Sequence, residues 1–226
     1  RILRRRRTGR WWRGERALVM GNRMIDDGMR QRIAAAIAKA EQGTRAELVA
    51  AIARRADDYR SSSLLAGLAG ALIAGISAWI FLPWPGPGET IAVELTGFLL
   101  VYILAAFTPL GMLVVSPRRK RRRASRLAKL VFLQRGLAST AEHCGVLFFV
   151  SRAEHYVEII ADYGIDQKVE PDAWQRIVDT FAASVKKGDL EQGFIGAIET
   201  LGALLARHYP AEGENPNRIP NRLVEL

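Results

Sequence analysis

The chain has 226 residues, 49% of them hydrophobic, with a formal net charge of +10 and one cysteine. A single thiol excludes an intramolecular disulfide and any cysteine-rich metal centre, which suits a reducing cytoplasm. The positive charge is peripheral: residues 1–16 hold 8 Lys/Arg and residues 118–126 hold 7, so the other 18 basic residues face 22 of the 23 acidic ones, and nucleic-acid binding is not expected.

Residues 1–25 form a basic arm around Trp11 and Trp12, expected to be disordered or to precede a start at Met20 or Met24. No apolar segment there is long enough for a signal peptide, so targeting is expected from the interior of the chain. Residues 26–60 read as the first part of a domain. Met29, Ile33, Ala36, Ile37 and Ala40 share one helical face, and Gly43 stops the run. Residues 46–53 stay open between helix, which their alanines favour, and a buried strand, which their length permits.

Residues 64–115 read as a transmembrane helical hairpin. Residues 64–83 carry no charge, and 20 residues at ~1.5 Å each span the ~30 Å hydrocarbon core of a bilayer. Residues 91–115 form the second span with one charge, Glu94, placed near its start at the interface. Between them lies a Pro- and Gly-rich turn, with Trp79 and Trp84 where an aromatic belt is expected. Gly67, Ala71 and Gly75 line one face of the first span and allow close helix approach. Arg54, Arg55 and Arg60 precede the hairpin. Arg118, Arg119, Lys120, Arg121, Arg122 and Arg123 follow it, as membrane-surface residues that meet anionic headgroups. The positive-inside bias then gives a two-span protein of the inner (cytoplasmic) membrane with both termini cytoplasmic.

Residues 118–210 hold a basic juxtamembrane helix and the remainder of the domain. Residues 145–150 are the best strand, apolar throughout and expected to be central. A short link joins them to residues 156–161, in an antiparallel hairpin. Pro171 opens a helix carrying Trp174, Ile177, Val178, Phe181 and Val185. Asp189 and Gln192 open another, carrying Phe194, Ile198, Leu201 and Leu205. The tail, residues 211–226, reads as extended and lying over the domain.

Chemistry-bearing residues are few. Asp162, Asp166, Glu170 and Asp172 stand in an eleven-residue loop whose oxygens could converge on Ca²⁺ or Mg²⁺. Cys144 heads a buried strand and reads as a packed thiol, with no Cys-x5-Arg loop around it. His143 and His155 are placed by spacing in no ligand set, and neither a Gly-rich phosphate loop nor an aspartate nucleophile motif is present.

Residues 145–151 (Gly-Val-Leu-Phe-Phe-Val-Ser), 157–165 (Val-Glu-Ile-Ile-Ala-Asp-Tyr-Gly-Ile), Trp174 and residues 188–193 (Gly-Asp-Leu-Glu-Gln-Gly) resemble the TPM domain family, in the bacterial branch with a two-span insertion. The resemblance implies an α/β sandwich, a small mixed sheet flanked by helices, interrupted by a two-helix transmembrane hairpin. It resolves residues 47–53 as a strand and brings together the parts on either side of the hairpin. It also carries a phosphatase label and reports of cation binding. The expected function is an integral membrane protein presenting a cytoplasmic TPM-like domain as a membrane-tethered binding or accessory module. Its expected partners are the bilayer, anionic headgroups and other membrane proteins. The alternative is a divalent-metal-assisted phosphatase using residues 162–172.

Overall fold

The computed structural model of the chain describes residues 7–10, 25–81, 86–108, 111–140, 143–211 and 219–226. Its elements begin with β1 (Arg7–Arg10), α1 (Asp27–Gln42), β2 (Glu47–Ala53), α2 (Arg60–Phe81), α3 (Pro87–Phe107), α4 (Gly111–Val114) and α5 (Pro117–Gln134). After a 3₁₀ turn at Leu137–Ser139 come β3 (Gly145–Ser151), β4 (Tyr156–Ala161), α6 (Tyr163–Lys168), α7 (Pro171–Lys186), α8 (Leu190–His208) and β5 (Val224–Glu225). The chain divides into two units: residues up to Ala56 together with those from Arg121 onward, and Asp57–Lys120.

The first unit is a mixed five-stranded sheet, in the order β1-β4-β3-β2-β5. β3 pairs in parallel with β2 and antiparallel with β4. All residues of β2, β3 and β4 are buried, as a sheet covered on both faces requires. The period of two along each strand sorts the layers. Leu48, Ala50, Ile52, Val146, Phe148, Val150, Val157 and Ile159 form one core with α1, α7 and α8. Phe148, Phe181 and Phe194 sit at its centre edge to face, with centroids 5.1 to 5.5 Å apart. The opposite face, with Val49, Ala51, Ala53, Leu147, Phe149 and Ile160, is covered by Ala124, Ala128, Val131 and Phe132 of α5.

The helices start where their sequences supply caps. The Asp26 side chain accepts from Met29 N–H, the Asp189 side chain accepts from Gln192 N–H, and Pro171 opens α7. Near the end of α1 the Glu41 carboxylate accepts the Leu48 N–H at 2.8 Å, on the edge of β2 that β5 leaves uncovered. Residues 47–53 are a strand despite their alanines. Ala51 and Ala53 pack in one core with Ala124 and Ala128, so the small side chains serve a tertiary fit that overrides their helix propensity. The tail is extended over residues 219–226, its Leu223 and Val224 buried and its Leu226 N–H donating to Ile52 C=O at 3.0 Å. Arg30 of α1 pairs with Glu225 and fastens it further.

One expectation fails at the N-terminus. Residues 7–10 of the arm expected to be disordered form β1, an antiparallel edge strand on β4, because β4 offers an open row of backbone donors and acceptors there. The rest of that arm lies outside the described residues.

The second unit holds two helices long and apolar enough to cross a membrane, α2 and α3. They meet at small residues. A Cβ on Gly97 would stand 2.5 Å from the Ala74 Cβ and 2.9 Å from the Gly70 carbonyl oxygen, and a Cβ on Gly67 would meet the Phe98 ring. The predicted stripe of Gly67, Ala71 and Gly75 is therefore shifted in part to Gly70 and Ala74. The second span also differs from expectation. The Glu89 carboxylate accepts the Gly86 N–H at 3.2 Å, so α3 starts at Pro87, four residues earlier than predicted. At the other end Thr108 is extended (φ −114, ψ 159), as a residue before Pro109 is expected to be, and α3 stops at Phe107 with α4 as a separate turn. Beyond α4, the Arg119 guanidinium donates to Ser61 Oγ at 2.6 Å and Ser62 Oγ at 3.2 Å, both in the first turn of α2.

Candidate functional site

The register of β3 against β4 builds the site. Val146 lies opposite Ala161, and one step beyond this pair the Asp162 N–H donates to Gly145 C=O at 2.9 Å. Residues just before β3 and just after β4 are thereby neighbours. His143, in the left-handed region at φ 53, holds its Nδ1 3.0 Å from Asp162 Oδ2. The Asp162 side chain is 1% exposed and the His143 side chain 63%. The other Asp162 oxygen, Oδ1, accepts the Tyr163 N–H at 2.7 Å and caps α6. Upstream, Thr140 Oγ1 accepts the Cys144 N–H at 3.1 Å and so fixes the approach to the histidine.

A buried carboxylate thus orients an exposed imidazole. With Nδ1–H donating to Asp162, Nε2 is left as the acceptor, the arrangement that suits a proton acceptor or an imidazole ligand. Further along the chain, Tyr163, Asp166, Gln167, Lys168, Val169, Glu170 and Pro171 line an open groove of ≈ 550 Å³. Lys168 Nζ stands 4.1 Å above the Tyr209 ring, and the Arg45 guanidinium lies 5.8 Å from the same ring.

The predicted acidic loop is therefore mostly a helix, and its carboxylates do different work. Asp166 and Glu170 line the groove together. Asp162 turns inward to cap and to hold His143, and Asp172 stands exposed in the first turn of α7. Among the described residues no group of three or more His, Cys, Asp or Glu is arranged to hold a metal ion. The physical reason is that Asp162 N–H continues the β3–β4 ladder, which commits that residue to the sheet end. Cys144 is buried, its Sγ 3.4 Å from Arg45 C=O. Of the basic series, Arg118, Arg121 and Arg122 are exposed, while Arg119, Lys120 and Arg123 are half-buried.

His143 is the functional candidate that spacing along the chain overlooks. Its signal is the hairpin: antiparallel strands of matched length bring their outer flanks together, so a histidine before the first and an aspartate after the second must meet.

A mixed sheet covered on both faces, interrupted after β2 by two long apolar helices, defines the class. Residues 110–204 match the model of the TPM domain family. Its fold is similar to that of the BA42 protein from the psychrophilic bacterium Bizionia argentinensis, solved by NMR. That match has a TM-score of 0.56 and 16% sequence identity, and it covers 91% of this chain and 97% of that one. At that identity the likeness speaks to fold alone. No curated protein matches the chain.

Proposed function

We propose that the chain is an integral protein of the inner (cytoplasmic) membrane, anchored by the α2–α3 hairpin with both termini cytoplasmic, and that its TPM domain is a membrane-tethered binding or accessory module. The observation that carries this reading is the outward apolar surface of the hairpin. Leu72 is 68% exposed, Ile73 66%, Trp79 79% and Phe107 81%, where helices of a soluble core would bury such side chains. The exposed Arg118, Arg121 and Arg122 supply the cytoplasmic positive charge and attract anionic headgroups. In this reading the groove lined by Asp166, Lys168 and Glu170 receives the bound partner or ligand.

The test is alkaline carbonate extraction of membranes containing the full chain, with reporter fusions at each terminus and within residues 84–86. Retention in the pellet is expected, with the terminal reporters cytoplasmic and the turn reporter on the far side. Release into the supernatant would sink the anchor. Glutamine at Arg118, Arg121 and Arg122 together is expected to weaken binding to anionic over neutral vesicles, and to flatten its dependence on salt.

A further inference from the structure

We propose that two copies of this chain associate through their hairpins, with their Glu94 carboxyl groups hydrogen-bonded to each other across the interface. The proposal rests on the membrane reading above and begins at a residue that an anchor does not need. Glu94 lies seven residues beyond the start of α3 at Pro87, roughly 10 Å along the helix axis. On the membrane reading that sets it about two turns inside the helix, rather than near its start as expected from the sequence.

Gly75 of α2 makes room for it. A Cβ at residue 75 would stand 2.5 Å from Glu94 Oε1 and 3.1 Å from its Cγ, so the carboxyl occupies the space that the glycine leaves. Glu94 is nevertheless exposed, and it makes no hydrogen bond or ion pair with any described residue. Its surroundings supply none. Ile91 and Leu95 on α3, like Leu72 and Ile76 on α2, are exposed and apolar, and residues 64–107 contain no Lys, Arg or His. The nearby hydroxyls are spent on their own helices: Thr96 donates to Ala92 C=O and Ser77 to Ile73 C=O, each at 2.7 Å.

A carboxyl group in hydrocarbon is costly alone and seeks a partner. A protonated carboxyl group offers one O–H donor beside its acceptors, so two such groups are complementary to each other. A two-fold axis brings the same position of two chains together, which is the arrangement that such a group needs. The second copy is thus the occupant the chain itself supplies. A transmembrane helix of another protein carrying a cation would be selected by charge instead.

The experiment is sedimentation equilibrium of the full chain in density-matched detergent micelles at several protein-to-detergent ratios. Wild type is compared with Glu94→Gln and Glu94→Leu, each first shown to resist alkaline extraction. Wild type and Glu94→Gln are expected to dimerise, because an amide keeps both donor and acceptor. Glu94→Leu is expected to dissociate on the order of tenfold more readily. A monomeric wild type, or a leucine variant that dimerises equally well, overturns the proposal. So does loss of the dimer in Glu94→Gln, because an amide keeps the donor and the acceptor that the proposed pair needs. Release of wild type by alkali overturns the membrane reading and the dimer with it, whereas a membrane-retained monomer overturns the dimer alone.

Discussion

Burial at the end of α1 pushes the Glu41 carboxyl up to about 7 from its ordinary 4.5; the Leu48 N–H and Asn221 oppose the rise and the charge of Glu47 adds to it. The folded chain therefore keeps a proton that the unfolded chain has released between those two values. This contribution to stability is complete below pH 4.5, falls as pH rises through the window and is gone above 7, a change on the order of 3 kcal/mol. Glu41→Gln, which keeps an oxygen for Leu48, is expected to flatten that slope and to stabilise the protein at pH 8, as read by thermal unfolding across pH. At Asp162 the expected loss is structural: Asp162→Ala removes a helix cap and the partner of His143, at about 1–3 kcal/mol in denaturant unfolding, and added Ca²⁺ or Mg²⁺ does not restore it. His143→Ala, at a largely exposed ring, is expected to change stability by about 0.5 kcal/mol or less. Both residues are plain in the sequence. Their pairing is not, because it spans 19 positions and exists only once β3 and β4 are in register.

Among the elements, α5 combines two roles along its length. Its first turns carry the basic series, and its later turns put Ala124, Ala128, Val131 and Phe132 on the sheet. Phe132 is fully buried there, so Phe132→Ala is expected to cost about 3–5 kcal/mol in chemical denaturation. Arginine replacements at 118 and 121, on exposed positions, are expected to leave stability within about 0.5 kcal/mol. Periodicity and caps made α1, α7 and α8 legible, since their apolar stripes and capping residues agree. β3 was legible from its unbroken apolar run. β2 was not, because alanine is small enough for a crowded central strand and is also the best helix former. The second apolar helix departs from the bounds of its apolar run for a local reason: Gly86, Pro87 and Glu89 start a helix before that run begins, and the extended Thr108 closes it before the run is over.

At the scale of the whole chain, the sheet and its two cores draw on the first unit alone. Replacing residues 57–120 with a flexible linker is therefore expected to yield a water-soluble domain that unfolds cooperatively, checked by circular dichroism and calorimetry; a molten or aggregated product would refute it. Composition and charge placement revealed the inserted hairpin, and family resemblance the sheet across it, but the layer that α5 supplies follows only from packing. The parallel ladder of β2 with β3 joins residues on opposite sides of that insertion, with 91 residues between Ala53 and Gly145. At ~5–20 residues per second, a ribosome takes on the order of 5–20 s to make them. For that interval β2 lacks its β3 neighbour, and both apolar helices are made within it. The proposed membrane insertion is thus timed ahead of domain folding, and a chain whose hairpin goes astray reaches β3 with its partner strand out of place.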